Sequence, residues 1–147
     1  MEDDKMEHLS HGQIQYINPD TLSTNPAFTN VIAISGNVKT IYIGGQDAID
    51  ASGKIVGKGD LKKQVSQVFT NLQEALKAAG AGLEHIIKWN VYLVQGQSLE
   101  QGFEVFQQVG GRRHNPPAIS MMFVSGLANP DFLIEMDAIA VLPQDHV

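Results

Sequence analysis

The sequence contains no cysteine. This absence excludes disulfide bonds, thiolate nucleophiles and metal sites built on cysteine ligands. Long apolar runs are also missing, because none approaches the roughly 20 residues that a membrane-spanning helix needs. The amino terminus lacks the apolar segment typical of a secretory signal. We therefore expect a cytoplasmic protein that does not bind membranes.

Basic residues are few, with 10 Lys and Arg against 16 Asp and Glu and a formal net charge of −6. Nucleic-acid backbones are bound by clustered positive charge, so this balance predicts no nucleic-acid partner. The one basic cluster is Arg112, Arg113 and His114. It follows the predicted end of a helix, where positive charge is favourable, and a structural role is the simpler interpretation.

The length of 147 residues is typical of one domain with a substantial core. Residues 1–12 are polar, acidic and aperiodic, and they predict a flexible extension. Residues 13–147 are then a single domain. His8 and His11 have no third ligand nearby in the sequence, so we predict no metal site there.

Apolar spacing and turn residues predict the element order β-β-β-α-β-α-β-β. Gly36 and Asn37 separate two β-type runs and favour a hairpin. Asp60 and Gly80 are typical of the start and stop of a helix, and Ser98 with Gln101 has the spacing of a capping box. The predicted strands are 13–18, the two runs flanking Gly36, 85–94, 117–125 and 131–142, and the predicted helices are 60–79 and a second one from Ser98 to Gly110. This order predicts a two-layer α+β domain with both helices on one face of the sheet.

Side chains of a strand alternate between the two faces of a sheet. In the last strand, one face is apolar throughout and is expected to meet the helices. The opposite face of that strand holds Leu133, Glu135, Asp137, Ile139 and Val141. No element remains to cover this half-apolar face, so it predicts a second copy of the chain as partner. In the strand 85–94, Ile86, Lys88, Asn90, Tyr92 and Val94 are predicted to share one side, and Trp89 is expected on the other side, buried against the helices.

Four segments together resemble the Rid/YjgF family, whose older names are endoribonuclease L-PSP and translation initiation inhibitor. They are IYIGGQ, AGAGLEHIIKWNVYLV, NPPAIS and LIEMDAIAV. The resemblance implies a chorismate-mutase-like fold, with two helices on one face of a mixed sheet, assembled as a homotrimer with a small-molecule cleft between subunits. It also implies hydrolysis of enamine or imine intermediates to 2-keto acids and ammonia, a deaminase reaction that uses no cofactor and no metal.

The family's functional residues can be carried over one at a time. The arginine that holds the substrate carboxylate corresponds to Ile119, a substrate-binding serine to Gly44, and a tyrosine to Phe28. The glutamate corresponds to Glu135, which the resemblance makes the catalytic residue. The resemblance also assigns substrate binding to Gly45, Gln46, Tyr92 and Ser120.

The missing cation predicts a cleft that is poor at holding an amino-acid-derived carboxylate, because a bidentate arginine contact is worth a few kcal/mol. The first hypothesis is therefore a divergent trimer that binds a small molecule and is not a standard 2-iminoacid deaminase. The alternative is an active enamine or imine hydrolase in which Glu135 positions water. Two further readings stay open: Glu135 as an interface carboxylate, and Arg112 or Arg113 as a replacement for the missing arginine.

Overall fold

The computed structural model describes residues 11–111 and 113–144 of the chain. Within them the predicted order of elements is confirmed. The strands are β1 (Gln13–Ile17), β2 (Val31–Ser35), β3 (Val38–Gln46), β4 (Ile86–Val94), β5 (Ala118–Val124) and β6 (Ile134–Pro143), and the helices are α1 (Leu61–Ala78) and α2 (Leu99–Gly110). A short 3-10 turn, Leu83–His85, precedes β4. The predicted extension 1–12 lies outside the described residues apart from His11 and Gly12.

Four strands form one mixed sheet in the order β3-β6-β4-β5. The β3–β6 and β6–β4 pairs are antiparallel and the β4–β5 pair is parallel. β6 therefore lies inside the sheet, and β3 and β5 form its edges. The remaining two strands, β1 and β2, pair with each other in a separate two-stranded sheet.

The hairpin predicted at Gly36 and Asn37 is wrong. β2 pairs with β1 and β3 pairs with β6, so within the described chain these residues join two different sheets. Gly36 has a φ of 80°, and a Cβ at this position would collide with the backbone oxygen of His11. Asn37 accepts a backbone hydrogen bond from Gln144 at 2.9 Å. Gly36 thus allows a tight turn where the segments at His11, Asn37 and Gln144 lie close together.

α1 begins and ends at the predicted residues. Asp60 accepts a hydrogen bond from the backbone N–H of Lys63 at 3.2 Å, and Gly80 follows the helix with a φ of 83°. Its buried face includes one polar side chain, Gln64, which is fully buried. Gln64 donates to the carbonyls of Gly57 and Asp131 and accepts from the N–H of Leu133, so it ties two loops to the helix.

α2 begins at Ser98, whose hydroxyl accepts a hydrogen bond from the N–H of Gln101 at 3.2 Å. Its apolar face packs against α1 and the sheet through three aromatic rings. The rings of Phe69 and Trp89 are 5.4 Å apart, and those of Trp89 and Phe106 are 4.9 Å apart. The predicted burial of Trp89 is confirmed, with 2% of the residue exposed.

The two predicted strand faces are correct for most of β6 but not for the start of β4. The helix-facing residues Ile134, Met136, Ala138 and Ala140 are buried. In β4 a register shift between Ile86 and Lys88 opposite β6 places Ile86 in the core. Val141 is also fully buried, although the alternation placed it on the open face. No helix in the described residues is long and apolar enough to span a membrane.

Candidate ligand-binding site

Glu135 lies on β6, on the face of the mixed sheet turned away from the helices, opposite Tyr92 of β4. It is half-buried. Its carboxyl group rests against Gly45: a Cβ built on that glycine would be 2.8 Å from the carboxyl carbon. The register of β3 against β6 shifts between Ile43 and Gln46, which brings Gly44 and Gly45 to this place. The absence of a side chain at Gly45 therefore makes the space that Glu135 fills.

Asp47 is the site residue that the sequence analysis missed. Its Oδ1 atom is buried and has no hydrogen-bond partner among the described residues. Burial, and then the negative charge and hydrogen-bonding contact of Glu135, raise the pKa of Asp47 to about 7. The only signal in the sequence was an acidic residue directly after the Gly-Gly-Gln segment, and nothing in that pattern says which carboxylate it meets.

The backbone around Asp47 is held by α1. The side-chain amide of Asn71 donates to the carbonyls of both Asp47 and Ile49, each at 2.9 Å. Asn71 is itself fixed, because its Oδ1 accepts from Gln67 at 2.9 Å. Hydrogen bonds from a helix to two carbonyls of one loop restrict the loop, so the Asp47 carboxyl is placed by the helix layer.

Asp137, two residues after Glu135 on β6, has a hydrogen-bond donor at each of its carboxylate oxygens. Asn90 donates to its Oδ1 at 2.7 Å and the hydroxyl of Tyr92 donates to its Oδ2 at 2.8 Å. That hydrogen bond to Asp137 is the first cause of a raised pKa for Tyr92. Tyr92 is thus beside Glu135 in the sheet, but its hydroxyl points to the other carboxylate.

Ser120 of β5 lies on the same face, and its hydroxyl accepts a hydrogen bond from the Nζ atom of Lys88 at 2.7 Å. Gln46, at the end of β3, donates to the carbonyl of Gly44 at 3.2 Å. The predicted residues Gly44, Gly45, Gln46, Tyr92, Ser120 and Glu135 therefore lie on the open face or at its rim.

Ile119 is on the opposite face. It pairs with Trp89 across β4 and β5 and packs against the core on the helix side. Phe28 lies near the beginning of β5, because the neighbouring Thr29 bonds to the carbonyls of Pro116 and Pro117 at 2.6 and 3.0 Å. Within one protomer the structure does not bring Ile119 and Glu135 together.

The two arginines considered as carboxylate anchors in place of residue 119 differ. Arg113 donates to the backbone carbonyls of Ile86 and Glu84, at 3.0 and 2.6 Å. Burial lowers the pKa of its guanidinium. These bonds give Arg113 a structural role at the start of β4. Arg112 lies outside the described residues.

An open groove of about 400 Å³ lies in the helix layer, lined by residues that include Lys62, Ser66 and Gln108. None of the predicted site residues lines it, and it is shallow and open to solvent. Among residues 11–111 and 113–144, no group of three or more His, Asp or Glu side chains is placed to hold a metal ion. The open sheet face with Glu135 is therefore the better candidate site.

Two helices on one face of a mixed sheet, with a carboxylate on the open face, define a two-layer α+β protein of the chorismate-mutase-like class. Residues 21–142 match the family model described as Endoribonuclease L-PSP. The chain belongs to this family, which is the predicted Rid/YjgF family.

Relatives agree with this assignment. The chain is 37% identical over 100 residues to a RutC family protein of Pyrococcus abyssi, and the aligned region covers 68% of this chain and 76% of the relative. It is 30% identical over 103 residues to the 2-iminobutanoate/2-iminopropanoate deaminase of Homo sapiens, covering 70% and 73%. The solved structure of a Rid family protein of unknown function from Yersinia pestis has a TM-score of 0.75 and 31% identity, covering 88% of this chain and 98% of that one.

Proposed function

We propose that the chain assembles as a homotrimer that binds a small molecule in a cleft between subunits, and that it is not a standard 2-iminoacid deaminase. The observation that carries this proposal is the division of the predicted site residues between two faces of the sheet. Glu135 and Gly45 lie on the open face, whereas Ile119 lies on the helix side of the edge strand β5. Residues on opposite faces of one sheet share a pocket only when a second copy supplies one of them.

The open face also supports assembly. Tyr42 on β3 is 78% exposed and Met122 on β5 is 43% exposed. Ile139 lies beside Tyr42 in the β3–β6 register. Large apolar side chains on a sheet face are typical of a surface that another protein chain covers, and a closed assembly of identical chains covers it most simply.

The proposed ligand needs no cationic anchor. Ile119 offers no charge, Arg113 is bonded to backbone carbonyls, and Lys88 is bonded to Ser120. Glu135 and Asp137 give this side of the sheet a negative character. An anionic ligand is therefore disfavoured, and a neutral molecule that donates N–H groups to Glu135 suits the site better.

A competition between two matched ligands tests this proposal. Calorimetry would compare 2-oxobutanoate with its neutral amide, 2-oxobutanamide, on the same preparation. We expect the amide to bind at least as tightly as the acid, with Glu135→Ala weakening the amide by about tenfold or more, as for loss of a charge-assisted hydrogen bond. Tighter binding of the acid by tenfold would contradict the proposed ligand class.

An anchored variant sharpens the comparison. Ile119→Arg restores the cation, and we expect it to shift the preference toward 2-oxobutanoate, by the tenfold or more that a bidentate contact supplies. Ile119→Met is the matched control, because it keeps the volume and adds no charge. If both variants leave the preference unchanged, position 119 does not face the ligand in the assembly.

The second candidate function is hydrolysis of small imines or enamines, with Glu135 positioning water. The neighbouring Asp47 favours it, because a carboxyl group with a pKa of about 7 is suited to proton transfer at neutral pH. The curated human relative is a 2-iminobutanoate/2-iminopropanoate deaminase. A coupled assay in which a pyridoxal-phosphate lyase supplies 2-iminobutanoate tests this function. Acceleration of keto-acid release that disappears in Glu135→Gln would support hydrolysis. No acceleration at high protein concentration would contradict hydrolysis and favour the first proposal, a protein that only binds its ligand.

A further inference from the structure

The contact between Asp47 and Glu135 has a chemical consequence. Two carboxylates cannot form a hydrogen bond with each other unless one of them carries a proton, because an ionised carboxylate only accepts. Glu135 is nevertheless the neighbour whose charge and hydrogen bonding raise the pKa of Asp47. The Oδ1 atom of Asp47 is buried and meets no donor among the described residues. An ionised Asp47 would therefore combine a buried unsatisfied oxygen with the like charge of Glu135.

The surroundings determine which member of the pair holds the proton. From β6, Asp47 meets Glu135, which is the ionisable group acting on it. From α1 it meets Asn71, a neutral amide that is occupied by the carbonyls of Asp47 and Ile49. Glu135 is half-buried on the open face, whereas Oδ1 of Asp47 is fully enclosed. The uncharged, protonated form belongs to the more enclosed oxygen, since burial penalises the charged form.

We propose that Asp47 is the positioning residue for Glu135: it keeps a proton on the enclosed side of the pair and donates it to the Glu135 carboxylate, which leaves the other Glu135 oxygen facing the ligand as an acceptor. This inference rests on the proposed function, because it assumes that a ligand meets Glu135. Gly45 contributes by removing any side chain that would push the Glu135 carboxyl away from Asp47.

The positioning role makes ligand binding depend on pH. Below the pKa of Asp47, which is about 7, the pair holds one proton and Glu135 is fixed. Above it, both carboxylates are charged and repel each other, so Glu135 leaves the orientation that suits the ligand. A ligand that does not titrate in this range, such as 2-oxobutanamide, is then expected to bind about tenfold more weakly at pH 8 than at pH 6, following the protonated fraction of a group with this pKa.

Asp47→Asn is the informative variant. The amide has the size of the acid and supplies a donor that does not titrate, so it imitates the protonated form. We expect 2-oxobutanamide to bind it with less than about a twofold change between pH 6 and pH 8. Asp50→Asn is the matched control: Asp50 is an exposed carboxylate that accepts hydrogen bonds from Ser52 and Lys54, away from the pair, and its variant should keep the wild-type pH dependence.

Carboxyl-carbon NMR of the full-length protein tests the pair without any ligand. We expect one side-chain carboxyl with a midpoint near pH 7 that is lost in Asp47→Asn, kept in Asp50→Asn, and moved to lower pH in Glu135→Gln, where the like charge is gone. A wild-type spectrum in which every carboxyl titrates below about pH 5 would overturn the inference.

The two measurements separate this inference from the function on which it rests. Binding of 2-oxobutanamide with ordinary carboxyl titration overturns the role of Asp47 and leaves the proposed site intact. A carboxyl that titrates near pH 7 in a protein that binds neither the amide nor the acid overturns the proposed function, and the positioning role with it. Both signals together, abolished by Asp47→Asn, support the two proposals.

Discussion

At the scale of single residues, Gly44 and Gly45 are neighbours with different surroundings. A Cβ on Gly45 would meet the Glu135 carboxyl group at 2.8 Å, whereas a Cβ on Gly44 would meet nothing within 4 Å. Neither residue has a positive φ, so alanine fits the backbone at both positions. We expect Gly45→Ala to displace Glu135 and weaken binding of 2-oxobutanamide by about tenfold, while Gly44→Ala leaves it unchanged.

Thermal unfolding serves as the control for this pair of variants. Because the group that must move at Gly45 is the end of a flexible side chain, both variants should remain within about 1 kcal/mol of the wild type in free energy of unfolding. Equal loss of binding in the two variants would mean that the open side of Gly44, and not the Glu135 carboxyl, contacts the ligand.

The same carboxyl pair predicts the pH dependence of stability. The pKa of Asp47 is about 7 in the folded chain, against the ordinary value of 3.8 expected in the unfolded chain, so the folded state binds this proton more tightly. Its contribution to stability is full below pH 3.8 and is lost as the pH rises toward 7. Urea unfolding at about pH 5 and pH 8 should therefore show a smaller fall in the free energy of unfolding for Asp47→Asn than for the wild type. An equal fall in both proteins would assign the pH dependence to other groups.

At the scale of elements, Gln64 connects α1 to the loops at Gly57 and Asp131 and to the residue before β6. Gln64 is fully buried, so Gln64→Leu leaves the two carbonyls and the N–H that it binds without hydrogen-bond partners and shielded from solvent. We expect a loss of about 3 kcal/mol or more in the free energy of unfolding. Gln73→Leu, on the exposed side of the same helix, should change it by less than about 0.5 kcal/mol. A Gln64 variant as stable as the Gln73 variant would show that water or rearrangement satisfies the three groups.

At the scale of the whole molecule, the proposed homotrimer depends on the open face of the sheet. Tyr42 is 78% exposed in one protomer, so Tyr42→Glu should leave the protomer folded and place an unpaired charge in the interface. Light scattering after size exclusion should give three times the mass of one chain for the wild type and a smaller assembly for this variant. Phe103→Glu, on α2 in the helix layer, is the control and should keep the wild-type mass. A wild-type mass of a single chain would contradict the trimer.

Much of the fold could be predicted from local pattern. The alternation of apolar residues in β6 and the caps at Asp60 and Ser98 depend on neighbours in the sequence, and the structure confirms them. The prediction of a hairpin at Gly36 was wrong because it, too, used only residues that are neighbours in the sequence. A glycine turn between two β-type runs does not reveal whether the strands prefer each other or strands far along the chain. Burial against β6 and β1 decided that competition.

In the candidate site, too, some features could be predicted from the sequence and others depend on the tertiary structure. Sequence alone determined the family and the presence of Glu135 on the side of its strand away from the helices, because these follow from residue types and from the two-residue period of a strand. Only the tertiary structure decided that Asp47 meets Glu135, that Ile119 faces the helix layer, and that Arg113 is occupied by backbone carbonyls. Those facts depend on the order of strands in the sheet and on one register shift, and pairings between distant segments leave no trace in local sequence.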